Sequence, residues 1–307
     1  GGALAQAEMS GNVPQVAIAN WFIRHRGRAM AVSLIGLSLS GTIFAPLTQF
    51  IESGWGWRSA WAVKGVIIWV VVMLPVWFLM RRRPEDMGLL PDGEPTDKGY
   101  VNVASPKNPP QESREELNFT LRQALGTRAF WLLAIFSITF NFPLIGMFLN
   151  LPAFFSDSGF SAAMAASAMG VYAFSTFMAR LFWGLMTERF DVRGLFAILA
   201  FAASGFLGLI LMMSFFDFMV LAWVLFPLAA AMGFLGGGST ILRSILWPNY
   251  FGRFHIGSIR GLAYPFEAVA SATGPVFAAF VFDSTGSYQI SFSLFVGMFF
   301  VAGFLML

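Results

Sequence analysis

Nine stretches of mostly apolar residues, each close to the length that crosses a bilayer, follow one another along the chain and leave little room for any other architecture. A spanning helix needs about 20 such residues, and lipid tolerates no irregular backbone with unsatisfied N–H and C=O groups, so long apolar runs read as helices. The spans are Gly1–Asn20, Ala29–Ile51, Ala60–Met80, Phe130–Phe154, Ala162–Met186, Leu195–Phe215, Met219–Leu242, Gly261–Phe282 and Ser291–Leu307. With 57% hydrophobic and 11% charged residues, the chain is too apolar for a water-soluble domain. The expected class is an all-α polytopic membrane protein.

The charges sit between the spans and orient them. Arg24, Arg26 and Arg28 follow the first span, Arg81, Arg82 and Arg83 the third, Arg189 and Arg193 the fifth, and Arg253 and Arg260 the seventh. Basic loops stay on the cytoplasmic side. The intervening loops carry Glu52 with Arg58, Asp157, Asp217 and Asp283, and are expected to face outward. The net charge of +3 is therefore a topology signal, not a basic face for nucleic acid. The chain has no cysteine and only two histidines, so neither a disulfide framework nor a metal centre is expected, nor any cofactor. It begins without a methionine or signal-peptide features and stops inside an apolar run, so both ends are expected to lie within a longer protein.

A long polar stretch, rich in Pro, Gly, Asp, Glu and Lys, divides the spans three from six. The expected organisation is residues 1–80 as part of one half, 81–128 as a cytoplasmic linker ending in a short helix near Leu117–Leu125, and 129–307 as a second half. A repeat crosses this linker. Asn20, Phe22, Arg24 and Pro46 recur as Asn249, Phe251, Arg253 and Pro275, each pair 229 positions apart. The first three spans therefore correspond to the last three. Parallel halves of equal size would then put three further spans ahead of Gly1 and twelve in the complete protein.

Two six-helix halves joined by a central cytoplasmic loop resemble the major facilitator superfamily. Asn20-Trp21-Phe22-Ile23-Arg24-His25-Arg26-Gly27-Arg28-Ala29 is similar to its loop between helices 4 and 5. The run from Arg82 through Pro84, Gly88 and Pro91 to Gly93 resembles the segment after helix 6 in the bacterial monocarboxylate and oxalate/formate antiporter branch. Asn249-Tyr250-Phe251-Gly252-Arg253, with Gly257, Ile259, Arg260 and Gly261, resembles that branch's loop between helices 10 and 11. The resemblance implies alternating access, in which two halves rock around a central site. It also implies gating loops built on Arg24, Arg28 and Arg253, and on Glu188, Arg189, Asp191 and Arg193, where acid and base pair across helix ends; a solvated loop is the competing reading.

Ionisable groups inside spans cost a few kcal/mol, which makes Glu8, Lys64, Arg180 and Glu267 the functional candidates. Arg180 lies eight residues before Glu188, about 12 Å of helical rise from the cytoplasmic end. A guanidinium matches both oxygens of a carboxylate, and the resemblance places a substrate-binding arginine there; pairing with the gating loop is the alternative. Animal-type monocarboxylate transporters carry a proton-coupling Asp one turn earlier, where this chain has Thr176. Glu267 is a candidate proton carrier or partner of Arg180, or else a group reaching water at the helix end. Glu8 falls near mid-membrane, either lining a cavity or pairing with a missing helix. Lys64, beside Trp61, reads as a group snorkelling outward.

Tyr172, Tyr264 and Asn141 supply neutral polar groups for substrate, though tyrosines at such positions more often pack. Pro143, Pro227 and Pro265 are expected to break their helices, and Gly36, Gly41, Gly205, Gly208 and Gly236–Gly238 to let helices approach closely. No span supplies a nucleophile and base in pairs, so an enzyme is not expected. The expected function is secondary transport of a small organic anion, first of all a monocarboxylate, by proton symport or anion exchange. Efflux of apolar or cationic compounds is the alternative, ahead of a membrane-embedded receptor, which would not explain the two-half repeat, or an enzyme. The expected setting is a bacterial inner membrane, with lipid and substrate as partners, protons as a candidate co-substrate, and a monomeric protein.

Overall fold

The computed structural model describes residues 13–23, 25–79, 81, 84–89, 92, 119–157, 161–215 and 222–307, and its regular elements are helices. Contacts divide the chain within the linker, into residues 1–110 and 111–307.

In the first unit, α1 (Val13–Trp21) gives way through a short turn to α2 (Arg26–Ile67). The second expected span and the start of the third lie within this range and meet at a non-helical break in the stretch between Ile51 and Ala60 where a loop is expected. The backbone bends at Gly56, where φ is +79°, a left-handed conformation that costs glycine little. A π-helical segment, Ile68–Met73, then leads into α3 (Leu74–Leu79). It lies just ahead of Pro75, whose ring and missing N–H disturb the preceding turn.

The second unit holds α4 (Leu121–Leu125), α5 (Arg128–Asp157), α6 (Ala162–Met186), α7 (Val192–Phe215), α8 (Ala222–Phe251), α9 (Ile256–Thr285) and α10 (Gln289–Met306). Thr120 starts α4 with a capping box closed by Gln123. Six helices among the described residues are long and apolar enough to cross a membrane, and the chain is a multi-pass integral membrane protein. The expected breaks at Pro143, Pro227 and Pro265 do not occur, because α5, α8 and α9 run through them. A membrane helix survives a lost N–H when neighbouring helices and hydroxyls satisfy the freed groups.

The long helices of this unit pack chiefly as three pairs, α6 with α8, α5 with α9 and α7 with α10. Close approach and one polar tie mark each pair. A Cβ on Gly237 would lie 2.5 Å from the Thr176 carbonyl oxygen and 2.8 Å from Ala179 Cβ, so α8 can seat on α6 only with glycine there. Thr176 Oγ1 donates to the Gly233 carbonyl (3.1 Å) across the same contact. Between α5 and α9, Gly274 sits against the backbone of Phe142, and Asn150 Nδ2 donates to the Pro275 carbonyl (3.3 Å). Ser204 Oγ donates to the Val296 carbonyl (3.0 Å) and ties α7 to α10. Interhelical contacts in lipid gain from small residues and such hydrogen bonds, since apolar burial alone drives nothing there. The expectation for glycine is borne out at Gly236–Gly238 but not at Gly36 or Gly205, where a Cβ would meet nothing within 4 Å; at Gly208 it would only touch Val296. Gly41 has no side-chain surroundings described.

Candidate functional site

The most concentrated charge in the second unit lies where α8, α9 and α5 meet. Glu267, 5% exposed, accepts a hydrogen bond from Arg260 Nη1 at 2.8 Å, and its other oxygen lies 3.6 Å from Arg243 Nη1. Ser137 on α5 lies within hydrogen-bonding reach of the same carboxylate. Arg260 and Glu267 are seven residues apart, two turns along one face of α9, so the helix itself aligns them. The Arg260 guanidinium also lies 5.5 Å from the ring centre of Trp247, one turn beyond Arg243 on α8. One carboxylate thus bridges two guanidiniums from two helices.

This arrangement corrects the expected pairing. Glu267 joins Arg260 and Arg243 rather than Arg180, and it is buried rather than reaching water. Hydropathy does not mark two members of the cluster as intramembrane charges. It puts Arg260 in a loop, whereas α9 begins at Ile256. It ends the seventh span at Leu242, just before Arg243, whereas α8 continues through Pro248 to Phe251. The legible signal was spacing, since Arg243 and Trp247 are an i, i+4 pair followed by further apolar residues.

Arg180, 7% exposed, sits within the helical unit rather than facing lipid. It shares one face of α6 with Thr176 and Tyr172, at successive four-residue steps. Tyr172 and Arg180 are near enough to interact electrostatically, and Thr176 is a hydrogen-bond partner of Tyr172. The Tyr172 ring packs on Phe148 with centroids 5.0 Å apart. Tyr172 is the polar group in a narrow cleft otherwise lined by residues such as Leu144, Met147, Met232 and Phe299.

Asn141 and Tyr264 do not line this cleft. Asn141 is 2% exposed, and its Nδ2 finds no acceptor. It stands one turn beyond Ser137 on α5, on the face that carries Ser137 to Glu267. Tyr264 is half-buried on α9, one turn before Glu267.

The loop residues take plainer roles. Asp191 accepts from the Gly194 N–H (3.4 Å), capping α7, and Arg193 Nη2 donates to the Leu307 carbonyl (3.2 Å). Arg189 and Arg28 are exposed, while Glu188 is half-buried. Arg253, 8% exposed, lies against the Phe254 ring at 5.0 Å. In the first unit Arg26, which was not singled out, donates to the carbonyls of Phe22 (3.1 Å) and Ala19 (3.2 Å) and so caps α1. Lys64 lies 5.0 Å from the Trp61 ring centre. Glu8 and Arg24 fall outside the described residues.

Long apolar helices seated on glycines, with a buried carboxylate shared by arginines of two of them, define a polytopic helical membrane protein. The Major Facilitator Superfamily family model matches residues 7–271, and the chain belongs to that superfamily. It is 23% identical over 291 residues to Monocarboxylate transporter 12 of Mus musculus, covering 90% of this chain and 58% of that protein. It is 24% identical over 286 residues to Monocarboxylate transporter 13 of Rattus norvegicus, covering 93% and 60%. The chain thus spans about three-fifths of the length of these relatives.

Proposed function

We propose that this chain is the larger part of a secondary active transporter that moves a small organic anion, a monocarboxylate first of all, by alternating access. The observation that carries this reading is Arg180, a guanidinium buried within the helical unit on α6, on one face with Tyr172. An intramembrane cation is expensive and usually functional, and a planar fork with five donors suits the two oxygens of a carboxylate. Relatives at 23–24% identity are named monocarboxylate transporters, which agrees with that chemistry. Tyr172 is positioned to add a hydroxyl, and Asn141 has a buried amide donor to spare.

Glu267 is better suited to holding α8 to α9 than to carrying protons, because its carboxylate is already shared between two guanidiniums. Anion exchange needs no proton carrier and fits this arrangement more simply than symport does. A second reading draws on the cleft beside Tyr172, whose lining is almost wholly apolar. Such a lining suits an efflux carrier for apolar or cationic compounds, for which the cleft, about 10 Å³ in this structure, would have to widen.

Proteoliposomes containing the full-length protein separate the two readings. Uptake of radiolabelled lactate, pyruvate or formate, driven by a pH gradient or by the same anion trapped inside, is the expected result. Absence of all such uptake, together with transport of a lipophilic cation, would replace the first reading by the second.

A further inference from the structure

The repeat-related turns of the two units are each gripped by a different end of the same linker. In the first unit the turn between α1 and α2 exposes the backbone amides of Ile23 and His25. Asp92 reaches back to both, its Oδ2 accepting from Ile23 N–H at 3.1 Å and its Oδ1 from His25 N–H at 3.3 Å. Asp92 adopts φ +63°, a left-handed conformation that Asp and Asn tolerate better than most residues and that helps the chain turn back. A second tie lies at the start of the same segment, where Trp21 Nε1 donates to the Arg81 carbonyl (3.1 Å).

In the second unit the corresponding turn follows α8. There Phe119, at the far end of the linker, donates its backbone N–H to the Phe251 carbonyl at 3.1 Å, and the two rings meet edge to face at 5.8 Å. Phe251 is the repeat partner of Phe22. The helices that leave the two turns start alike, from His25 and His255, neither of which forms a side-chain cap. Both turns therefore lack the local Ser, Thr, Asp or Asn cap that helix starts favour.

We infer that the linker is a two-ended clasp, whose ends act as caps in trans for the repeat-related turns of the two halves. Asp92 supplies the acceptors that the first turn lacks, and its negative charge lies at the N-terminal end of α2, where the helix dipole favours it. Phe119 satisfies a carbonyl at the C-terminal end of α8 and covers the Phe251 ring. Each linker end then moves as part of its own half, with residues 93–118 left between the two anchors. The clasp is independent of which substrate is carried.

Hydrogen exchange on the full-length protein in detergent or nanodiscs tests both ends without a transport readout. Asp92→Gly removes the carboxylate while tolerating the left-handed backbone, and about tenfold faster exchange of the Ile23 and His25 amides is expected. Asp92→Asn keeps one oxygen acceptor and the same backbone preference, so an intermediate effect is expected. Phe119→Ala is expected to speed exchange of the amide at position 119 several-fold and to leave the first turn unchanged. Unchanged exchange at either turn in its own variant overturns the two-ended clasp, as does an Asp92→Gly effect spread evenly over both units.

Discussion

Removing the charge of Glu267 leaves two buried guanidiniums without their shared counter-ion, and Glu267→Gln is the sharpest probe of the cluster. The side chains of Arg260 and Glu267 are 8% and 6% exposed. Breaking a buried pair by deleting one partner costs about 3–5 kcal/mol, because the remaining charge stays desolvated. For a cooperative unit of this size that amounts to a fall in Tm on the order of 10 °C. Arg243→Met is expected to cost much less, about 1 kcal/mol or under, because the Arg260–Glu267 contact at 2.8 Å survives and one uncompensated cation is gone. Replacing Arg243, Arg260 and Glu267 together by Met is expected to recover to within about 2 kcal/mol of the parent, since apolar groups of similar size substitute well for buried ions. Thermal unfolding of the full-length protein followed by tryptophan fluorescence reads these shifts, and Trp247, fully buried beside Arg260, reports locally. A Tm fall below about 2 °C for Glu267→Gln, or an Arg243→Met loss equal to it, would refute the shared-carboxylate account.

Arg180→Lys keeps the charge but loses the fork; at about 1.5–3 kcal/mol for a charge-assisted hydrogen bond, kcat/KM for carboxylate uptake should fall roughly ten- to a hundredfold. Unimpaired uptake would exclude two-point recognition. Gly237→Val should destabilise the protein by about 2 kcal/mol or more, because the new Cβ meets backbone on α6. Gly205→Ala, with open space around it, should be neutral or stabilising by under about 1 kcal/mol; equal thermal shifts for the two variants would contradict the packing described. Thr176→Val removes the hydroxyl tie to Gly233 and should cost about 0.6 kcal/mol in Tm measurements, typical of a single interhelical hydrogen bond in a membrane.

What was legible in the sequence was whatever a bilayer imposes on every chain. Apolar runs had to be helices, so the spans after the linker emerged, Ala162–Met186 at both ends, while the seventh was cut short at Leu242 although α8 continues to Phe251. The turn repeat was legible because it rests on residue identity at fixed spacing, and the structure ends α1 at Trp21 and α8 at Phe251 accordingly. Less accessible was how far a helix carries charge. Hydropathy stops a span at its first arginine, but Arg243 and Arg260 remain helical, Glu267 compensating Arg243 from the neighbouring helix and Arg260 from two turns along the same one. The glycine expectation failed at Gly36 and Gly205 for a related reason: a small residue marks a close approach only where another helix lies opposite. Asp92 lies 69 residues from Ile23, and no local pattern announces a cap supplied from that distance.

The two intramembrane groups on which transport chemistry was expected to turn are held differently. Glu267 accepts a hydrogen bond from Arg260 on its own helix and pairs with Arg243 on α8, so letting go of Arg243 requires α8 and α9 to shift relative to each other. Those helices are also fixed elsewhere, α8 by its glycine contact with α6 and α9 by Asn150 and Gly274 against α5. A group bound into that framework resists cycling, which suits a structural strut. Arg180 lies on the α6 face that meets α8 through Thr176 and Tyr172, outside the cluster. Recognition of a carboxylate, as proposed for Arg180, and rigidity of the helical unit would therefore fall to separate charges. Glu267→Gln should accordingly lower Tm while leaving the pH dependence of uptake by the surviving folded protein unchanged, and an altered pH profile at normal Tm would give the proton role back to Glu267.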